Sequence, residues 1–171
     1  MLKMARFAAE LCRTTILEKG SQALEDLDSG NLSESFIAVS EVIIGISGLV
    51  GGFGDAISRT TIAHEIHDAM TMFPETHRFL HGHMVGYGIL VQLAVEKKWK
   101  EIEMLTEFYR PLGIPTSLEE IGLSNLTDEQ LMSIAIQATA PGLPVHQLPY
   151  SVTSDVIVTA IKQLEKINRK K

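Results

Sequence analysis

The sequence has little cysteine and little positive charge. Cys12 is the only cysteine among the 171 residues, so the chain cannot form an internal disulfide, which fits a reducing cytoplasm. Fifteen Lys and Arg residues stand against 21 Asp and Glu residues, for a net charge of −6. Nucleic-acid binding needs clustered positive charge, and the one basic cluster is the short chain end at residues 168–171. We therefore expect a cytoplasmic protein that does not bind nucleic acid.

Long apolar runs are also scarce. Arg6, Glu10 and Arg13 interrupt the N-terminal segment, so no export signal is expected. The most apolar stretch, residues 36–53, is just long enough for a membrane helix, but it contains Glu41 and four glycines. We expect this stretch to form a helix buried in the protein, and we expect no membrane contact.

Apolar residues recur at helical spacing along almost the whole chain, and no alternating pattern of useful length indicates a strand. The sequence therefore predicts an all-α fold in which residues 1–171 form a single helical domain. In the second half of the chain, helices are expected over residues 79–98, 99–111, 116–120 and 156–167. Thr127, followed by Gln130, predicts a capping box at the start of another helix.

Capping and helix-breaking residues predict the boundaries in the first half. The first helix is expected to end near Gly20, and a capping box that begins at Asn31 is expected to open the second. The glycine-rich tract at residues 48–54 should end that helix. A third helix should then begin with Asp55 as its N-cap and end at Pro74.

Histidine is concentrated in one window. An even distribution of the six histidines would place about 0.7 of them between positions 64 and 83. Five are found there: His64, His67, His77, His81 and His83. Imidazole is a common metal ligand and titrates near physiological pH. The cluster therefore indicates metal or proton chemistry.

Helical geometry places two of these imidazoles where they can meet. At 100° per residue, His64 projects away from the apolar stripe that begins at Ile62, with His67 beside it. Pro74 should reverse the chain, so that His81, early in the next helix, can approach His64. Two ligands from facing helices are a common basis for a metal site in a helical bundle. The alternative is a solvated helix face whose histidines bind nothing.

Three segments carry a resemblance to a known family. Residues 63–71 (AHEIHDAMT), 74–77 (PETH) and 81–88 (HGHMVGYG) resemble the iron-containing alcohol dehydrogenase superfamily, and most of all its glycerol dehydrogenase-like branch. The similarity covers nearly the whole chain, and the 17-residue separation of His64 and His81 is its most specific feature. The resemblance implies the helical C-terminal domain of the dehydroquinate synthase-like and iron-containing alcohol dehydrogenase fold.

The resemblance also implies roles for three histidines. His64 and His81 match two ligands of a zinc or iron ion, and His67 matches a neighbouring histidine of the catalytic site that is not usually a ligand. Such an ion polarises the alcohol oxygen and promotes hydride departure to nicotinamide. The family's aspartate ligand and its nucleotide-binding N-terminal domain are expected to be absent, so NAD or NADP would bind only with that domain supplied. His83 and Met84 stand where the family typically has Glu and Lys.

Two functions follow from this resemblance. The chain is interpreted as the metal-binding helical portion of an NAD(P)-dependent alcohol or polyol dehydrogenase, which acts on a small primary or secondary alcohol together with a nucleotide-binding half, supplied for example by a separate subunit. The alternative is a truncated, catalytically inactive helical module that acts in oligomerisation or interaction. Whether the chain is an enzyme stays open at this point. Both hypotheses predict exposed apolar surface and a homo-oligomer.

Overall fold

The computed structural model of the protein describes residues 2–59 and 61–168, and the side chains of residues 56–59 lie outside that description. Within these ranges the chain forms eight α-helices joined by turns and short 3₁₀ and π-helical segments, with no strand. The predicted all-α fold class is confirmed. The chain divides into two compact units, Met1–Arg59 and Thr60–Lys171. The assignment of residues 1–171 to one domain stays a prediction.

The first unit is built from three helices. They are α1 (Leu2–Ser29), α2 (Glu34–Glu41) and α3 (Ser47–Arg59), with a π-helical segment at Val42–Ile46 between α2 and α3. α1 packs against both α2 and α3. Its buried apolar residues are all small: Ala5, Ala8 and Ala23. Small side chains let the neighbouring helices approach α1 closely.

α1 continues past the glycine that was expected to end it. The helix passes through Gly20 and ends at Ser29, so the predicted end near Gly20 is wrong. One glycine inside a helix costs about 1 kcal/mol relative to alanine, and the helix-forming residues that follow Gly20 outweigh that cost. Gly30, with φ of 69°, takes the left-handed position that commonly follows a helix end.

The turn between α1 and α2 is organised by a buried carboxylate. Asp26 accepts hydrogen bonds from Gln22 Nε2 (3.3 Å), Asn31 Nδ2 (3.1 Å) and the Ser33 hydroxyl. The bond from Ser33 does most to lower the pKa of Asp26, burial opposes it, and the bonds from Asn31 and Gln22 lower the pKa further. Ser33, not Asn31, is the N-cap of α2, and its Oγ accepts from Phe36 N. The capping box predicted at Asn31 is therefore wrong, because Asp26 binds the Asn31 side chain.

The helical path also continues through the glycine-rich tract. Residues 48–54 all lie within α3, and the break falls at Asp55, where φ is 52° and ψ is −150°. The predicted helix end in the tract is wrong, because none of its glycines adopts a positive φ. The predicted single helix from Asp55 to Pro74 is also wrong, since α3 ends at Arg59 and α4 begins at Ile62.

The most apolar part of the chain is not buried by the described residues. The helical segment Glu34–Asp55 has a mean hydropathy of 2.0 over its most apolar 18-residue window, and 6% of that window is buried. Among the described residues it is the one helix long and apolar enough to cross a membrane, a test that core helices of soluble proteins also pass. The expectation that this chain buries the segment is wrong, because α1 packs against it and leaves Ile37, Ile43, Ile44 and Leu49 exposed.

The second unit contains five helices around one apolar core. They are α4 (Ile62–Met70), α5 (His81–Val95), α6 (Trp99–Tyr109), α7 (Asp128–Ala138) and α8 (Ser154–Asn168). α5 is central, since it packs against α4, α6 and α8, while α7 packs against α4 and α8. The fully buried core side chains include Ile62, Ile66, Met70, Tyr87, Leu90, Ile134, Ile157 and Leu164.

Most helix boundaries in this unit agree with the sequence. The ends of α5, α6 and α8 lie within a few residues of the predicted ends. The capping box of Thr127 and Gln130 is confirmed by both of its hydrogen bonds. The helix predicted at 116–120 is wrong, because the segment forms turns in which Thr116 N donates to the Glu120 carboxylate. α4 ends at Met70, and Pro74 opens the 3₁₀ segment Pro74–Arg78 instead.

Candidate functional site

Three of the five clustered histidines lie close together in the second unit. His64 and His67 lie on α4, and His81 is the first residue of α5. The ring centroids of His64 and His81 are 5.7 Å apart, and those of His67 and His81 are 4.5 Å apart. Ile62 and Ile66 are fully buried on another face of α4. The helix therefore packs with one face and presents imidazole with another.

The spacing of His64 and His81 suits two ligands of one ion. Zinc bound at Zn–N distances of about 2.0–2.1 Å with a tetrahedral angle places the centroids of two imidazole rings about 5.3 Å apart. The 5.7 Å between the rings of His64 and His81 is close to that value.

The donor set is nevertheless incomplete within residues 2–59 and 61–168. No group of three or more His, Cys, Asp or Glu side chains that could hold an ion occurs there. The His67 and His81 rings meet edge to face, with their planes at 81°. A catalytic zinc site needs three protein ligands. The two imidazoles of His64 and His81 alone are therefore one ligand short of such a site.

Electrostatics favours the neutral form of His64. Burial lowers the pKa of its imidazole, the nearby His81 lowers it further, Asp68 acts in the opposite direction, and His67 adds a smaller decrease. His64 is half-buried, whereas His81 is exposed. A neutral imidazole is the form that binds a metal ion, because a protonated ring has no free lone pair.

His67 is held by its neighbour in sequence. Its Nδ1 lies 2.7 Å from Asp68 Oδ1, and the side chain of His67 is 15% exposed while that of Asp68 is 66% exposed. Because the partner is a carboxylate, Nδ1–H of His67 donates a hydrogen bond to Asp68, and Nε2 is the nitrogen with the free lone pair in the neutral ring. Asp68 thereby sets both the tautomer and the orientation of His67.

The structure does not bring the other clustered histidines into this group. His77 Nε2 lies 2.8 Å from the Thr71 carbonyl oxygen, just after the end of α4, and so binds backbone at the helix terminus. His83 is half-buried on α5, and the ring contacts among the described residues do not include it. The clustering of five histidines along the sequence therefore overestimates how many of them lie at the site.

Glu65 is a buried carboxylate next to His64, and the sequence analysis did not predict it as a residue of the site. It is 7% exposed, and burial raises its pKa, with the Asp68 carboxylate adding to the increase. A signal was present, because at 100° per residue Glu65 projects only about 60° from Ile62 and thus toward the buried face.

The fold and the histidine cluster define the class of this protein: an all-helical domain in which two successive helices bring imidazole rings together. No protein-family model matches the sequence. Hydroxycarboxylate dehydrogenase A of Escherichia coli K12 is 34% identical over 92% of this chain and 43% of its own length. Glycerol dehydrogenase of Thermotoga maritima is 33% identical over 94% of this chain and 43% of its own length.

Solved structures agree with these relatives. The crystal structure of a probable glycerol dehydrogenase from Sinorhizobium meliloti 1021 superposes with a TM-score of 0.88 and 26% identity, covering 99% of this chain and 47% of that one. Glycerol dehydrogenase from Schizosaccharomyces pombe gives 0.85 and 30%, covering 97% and 42%. The relatives and the solved structures confirm the resemblance of the chain to the iron-containing alcohol dehydrogenase superfamily and to its glycerol dehydrogenase-like branch. It spans less than half the length of these relatives.

Proposed function

We propose that this chain is the metal-binding helical portion of an NAD(P)-dependent dehydrogenase that oxidises a small primary or secondary alcohol. The convergence of His64 and His81, 5.7 Å apart between ring centroids, is the observation that carries the proposal. The relatives are named for glycerol and hydroxycarboxylates, which share a hydroxyl group with a second oxygen function nearby. A polyol of that kind is the proposed substrate.

In this proposal His64 and His81 hold a zinc or iron ion. Such an ion, when bound, acts as a Lewis acid that stabilises charge on an alcohol oxygen. His67 serves the catalytic site without being a ligand: Asp68 fixes its Nδ1, so its free Nε2 is available to accept or return a proton. The ring of His67 also restrains His81, against which it packs.

A nucleotide-binding half completes the proposed enzyme. The described residues offer two ligands and form no strand, whereas dinucleotide-binding folds are built on a parallel sheet. NAD or NADP and the third ligand are therefore assigned to a second, nucleotide-binding partner, such as a separate subunit. Hydride transfer to a nicotinamide requires both parts at one site. We place the assembly in the cytoplasm.

Metal titration tests the first step of this proposal. Zinc chloride is titrated calorimetrically into the purified chain, and into His64→Ala, His81→Ala and His77→Ala variants. One ion is expected per chain, with affinity at least tenfold weaker in the first two variants and unchanged in His77→Ala, whose ring binds the Thr71 carbonyl instead. Equal affinity in all four proteins would contradict the proposed ligands.

Activity tests the second step. The nucleotide-binding half of the Thermotoga maritima glycerol dehydrogenase, expressed alone, is mixed with the zinc-loaded chain, glycerol and NAD. Formation of NADH is expected, and it should be lost in His64→Ala and on chelation of zinc. Persistent inactivity of a folded, zinc-loaded mixture would count against the dehydrogenase function.

The second candidate function is a catalytically inactive module that associates with a second copy of itself. The exposed apolar side chains of the first unit favour it, because soluble proteins rarely leave a large apolar patch uncovered. These side chains include Phe7 on α1 and Ile44, which is 83% exposed, between α2 and α3. This candidate predicts weak or absent zinc binding, and association that is unchanged in His64→Ala. Light scattering with the titration above separates the two functions.

A further inference from the structure

The first turn of α4 is held against α5 at two points that lie directly before His64. Gly88 and Gln92 lie four residues apart on α5 and therefore on the same face of that helix. Gly88 meets the backbone of Ala63, and the Gln92 side chain bonds to Ala63 and Thr61. We call Gly88 and Gln92 together the α4 clamp.

Gly88 sets the distance between the two helix backbones. A Cβ atom on this residue would overlap the Ala63 carbonyl oxygen and would lie 2.9 Å from both the carbonyl carbon and Cα of Ala63. These are backbone atoms, which cannot rotate away as a flexible side chain can. Any side chain at position 88 must therefore move α4 away from α5.

Gln92 caps α4 from the neighbouring helix. Thr61 occupies the N-cap position, but its side chain makes no capping bond to α4. Gln92 Oε1 instead accepts hydrogen bonds from Thr61 Oγ1 at 2.9 Å and from Ala63 N at 3.4 Å. The bond to Ala63 N satisfies one of the amide groups that a helix leaves unpaired at its start.

The Gln92 side chain is itself fixed by a polar network. Its Nε2 donates to Glu96 Oε1 at 3.2 Å, and the same oxygen accepts from the Tyr150 hydroxyl at 2.8 Å. Lys98 Nζ lies 2.6 Å from the other oxygen of Glu96. These contacts hold the acceptor oxygen of Gln92 toward the start of α4.

The α4 clamp and the histidine pair lie along one side of α5. His81 precedes Gly88 by seven residues, about two helical turns, so the two residues project in nearly the same direction. On α4, Ala63 is followed at once by His64. We propose that Gly88 and Gln92 are positioning residues, which hold the first turn of α4 where the His64 ring reaches the His81 ring. This inference rests on the proposed metal site.

Another glycine of α5 provides a matched control. A Cβ atom on Gly86 would lie 2.8 Å from Ile114 Cγ2 and 3.7 Å from the Tyr109 ring, and its near contacts do not include α4. Gly86→Ala thus crowds the same helix on another side. It should alter the packing of Tyr109 and Ile114 and leave the distance between His64 and His81 unchanged.

The test uses the full chain with Gly88→Ala, Gln92→Met and Gly86→Ala substitutions. Gln92→Met keeps a side chain of similar length but removes the acceptor oxygen together with the amide group, so it tests the clamp without the steric overlap of Gly88→Ala. Two quantities are measured: zinc affinity, by calorimetric titration with zinc chloride alone, and the nuclear Overhauser effect between the His64 and His81 ring protons in the absence of metal. Circular dichroism reports whether each variant keeps its helical content.

We expect Gly88→Ala to lower zinc affinity at least tenfold and Gln92→Met about threefold, each with a weaker ring-to-ring Overhauser effect and native helical content. Gly86→Ala should change affinity less than twofold. Unchanged affinity and an unchanged Overhauser effect in Gly88→Ala would overturn the inference. If Gly88→Ala does not fold, the same two readouts in Gln92→Met decide in the same way.

Failure of the proposed function gives a different pattern. If the unmodified chain binds no zinc, the metal site fails, while a selective loss of the Overhauser effect in Gly88→Ala and Gln92→Met still supports the positioning role. Loss of the Overhauser effect in Gly86→Ala to the same extent would contradict that role, because it would show that any crowding of α5 separates the rings.

Discussion

The imidazole ring of His67 meets the ring of His81 edge to face, with centroids 4.5 Å apart and planes at 81°. His81 is exposed at the start of α5, and this contact with α4 helps to restrain its ring. Asp68 in turn holds Nδ1 of His67. The orientation of one proposed ligand therefore depends on a histidine that is not itself a ligand.

We predict that His67→Ala weakens zinc binding by about tenfold, because groups that orient a ligand typically contribute tenfold to a hundredfold to metal affinity. Loss of the ligand His64 should weaken binding more. Calorimetric titration of both variants measures the difference. Asp68→Asn, which keeps a side chain of the same shape, should give a smaller decrease than His67→Ala. Equal losses for His64→Ala and His67→Ala would assign His67 a direct bond to the ion.

Removal of one hydroxyl should destabilise the core of the second unit. Tyr87 is fully buried and its OH donates to Glu165 Oε1 at 3.0 Å, an oxygen that also accepts from Leu118 N. Burial, followed by the nearby Glu165 carboxylate, raises the pKa of Tyr87 well above its ordinary value, so the hydroxyl stays protonated and donates. We expect Tyr87→Phe to reduce the free energy of unfolding by about 1–2 kcal/mol. Urea denaturation measures this difference. An unchanged free energy of unfolding would show that the hydrogen bond from Tyr87 to Glu165 does not stabilise the protein.

The turn between α1 and α2 should weaken in acid. The pKa of Asp26 is lowered in the folded protein, first by its bond from Ser33. Its contribution to stability is therefore present above the ordinary carboxyl pKa of about 3.9 and is lost as pH falls through the lower folded value. Amide exchange at Asn31 and Phe36, corrected for the intrinsic pH dependence, should accelerate below about pH 4. In Asp26→Asn this pH dependence should disappear, and its persistence would assign it to another group.

Self-association should depend on the exposed apolar residues of the first unit. Ile44 is 83% exposed there, whereas Ile136, in the second unit, is 58% exposed on α7. We expect Ile44→Lys to raise the concentration at which the chain associates by at least tenfold, and Ile136→Lys to change it less than twofold. Multi-angle light scattering across a dilution series measures both. An unmodified chain that stays strictly monomeric at micromolar concentration would contradict the proposed homo-oligomer.

Features governed by neighbouring residues could be predicted from the sequence. The capping box of Thr127 and Gln130 forms as expected, because both of its hydrogen bonds lie within one helical turn. The helical period of the residues after Ile62 likewise places His64 on a face other than that of the buried isoleucines. The histidine-bearing segments also predicted the resemblance to glycerol dehydrogenases that the relatives confirm, because the segments and their spacing can be read directly from the sequence.

Some local features could not be predicted in this way, because more than one conformation or hydrogen-bond partner was open to the residues involved. Asn31 was expected to cap a helix, but the buried Asp26 binds its side chain. The glycines at 48–54 were expected to end a helix, yet the helical path continues to Asp55. Glycine permits many backbone conformations, so its presence alone does not select one.

By itself, the sequence determined that the chain is helical, that imidazoles gather on the polar side of α4, and which family it resembles. Helical period, spacing and local hydrogen bonds are properties of neighbouring residues. The tertiary structure decided that His77 and His83 stay out of the imidazole cluster and that Gly88 touches Ala63. It also left the segment at 34–55 largely exposed. Those outcomes depend on how closely two helices pack and on what covers each face, and a pattern along one chain does not specify either.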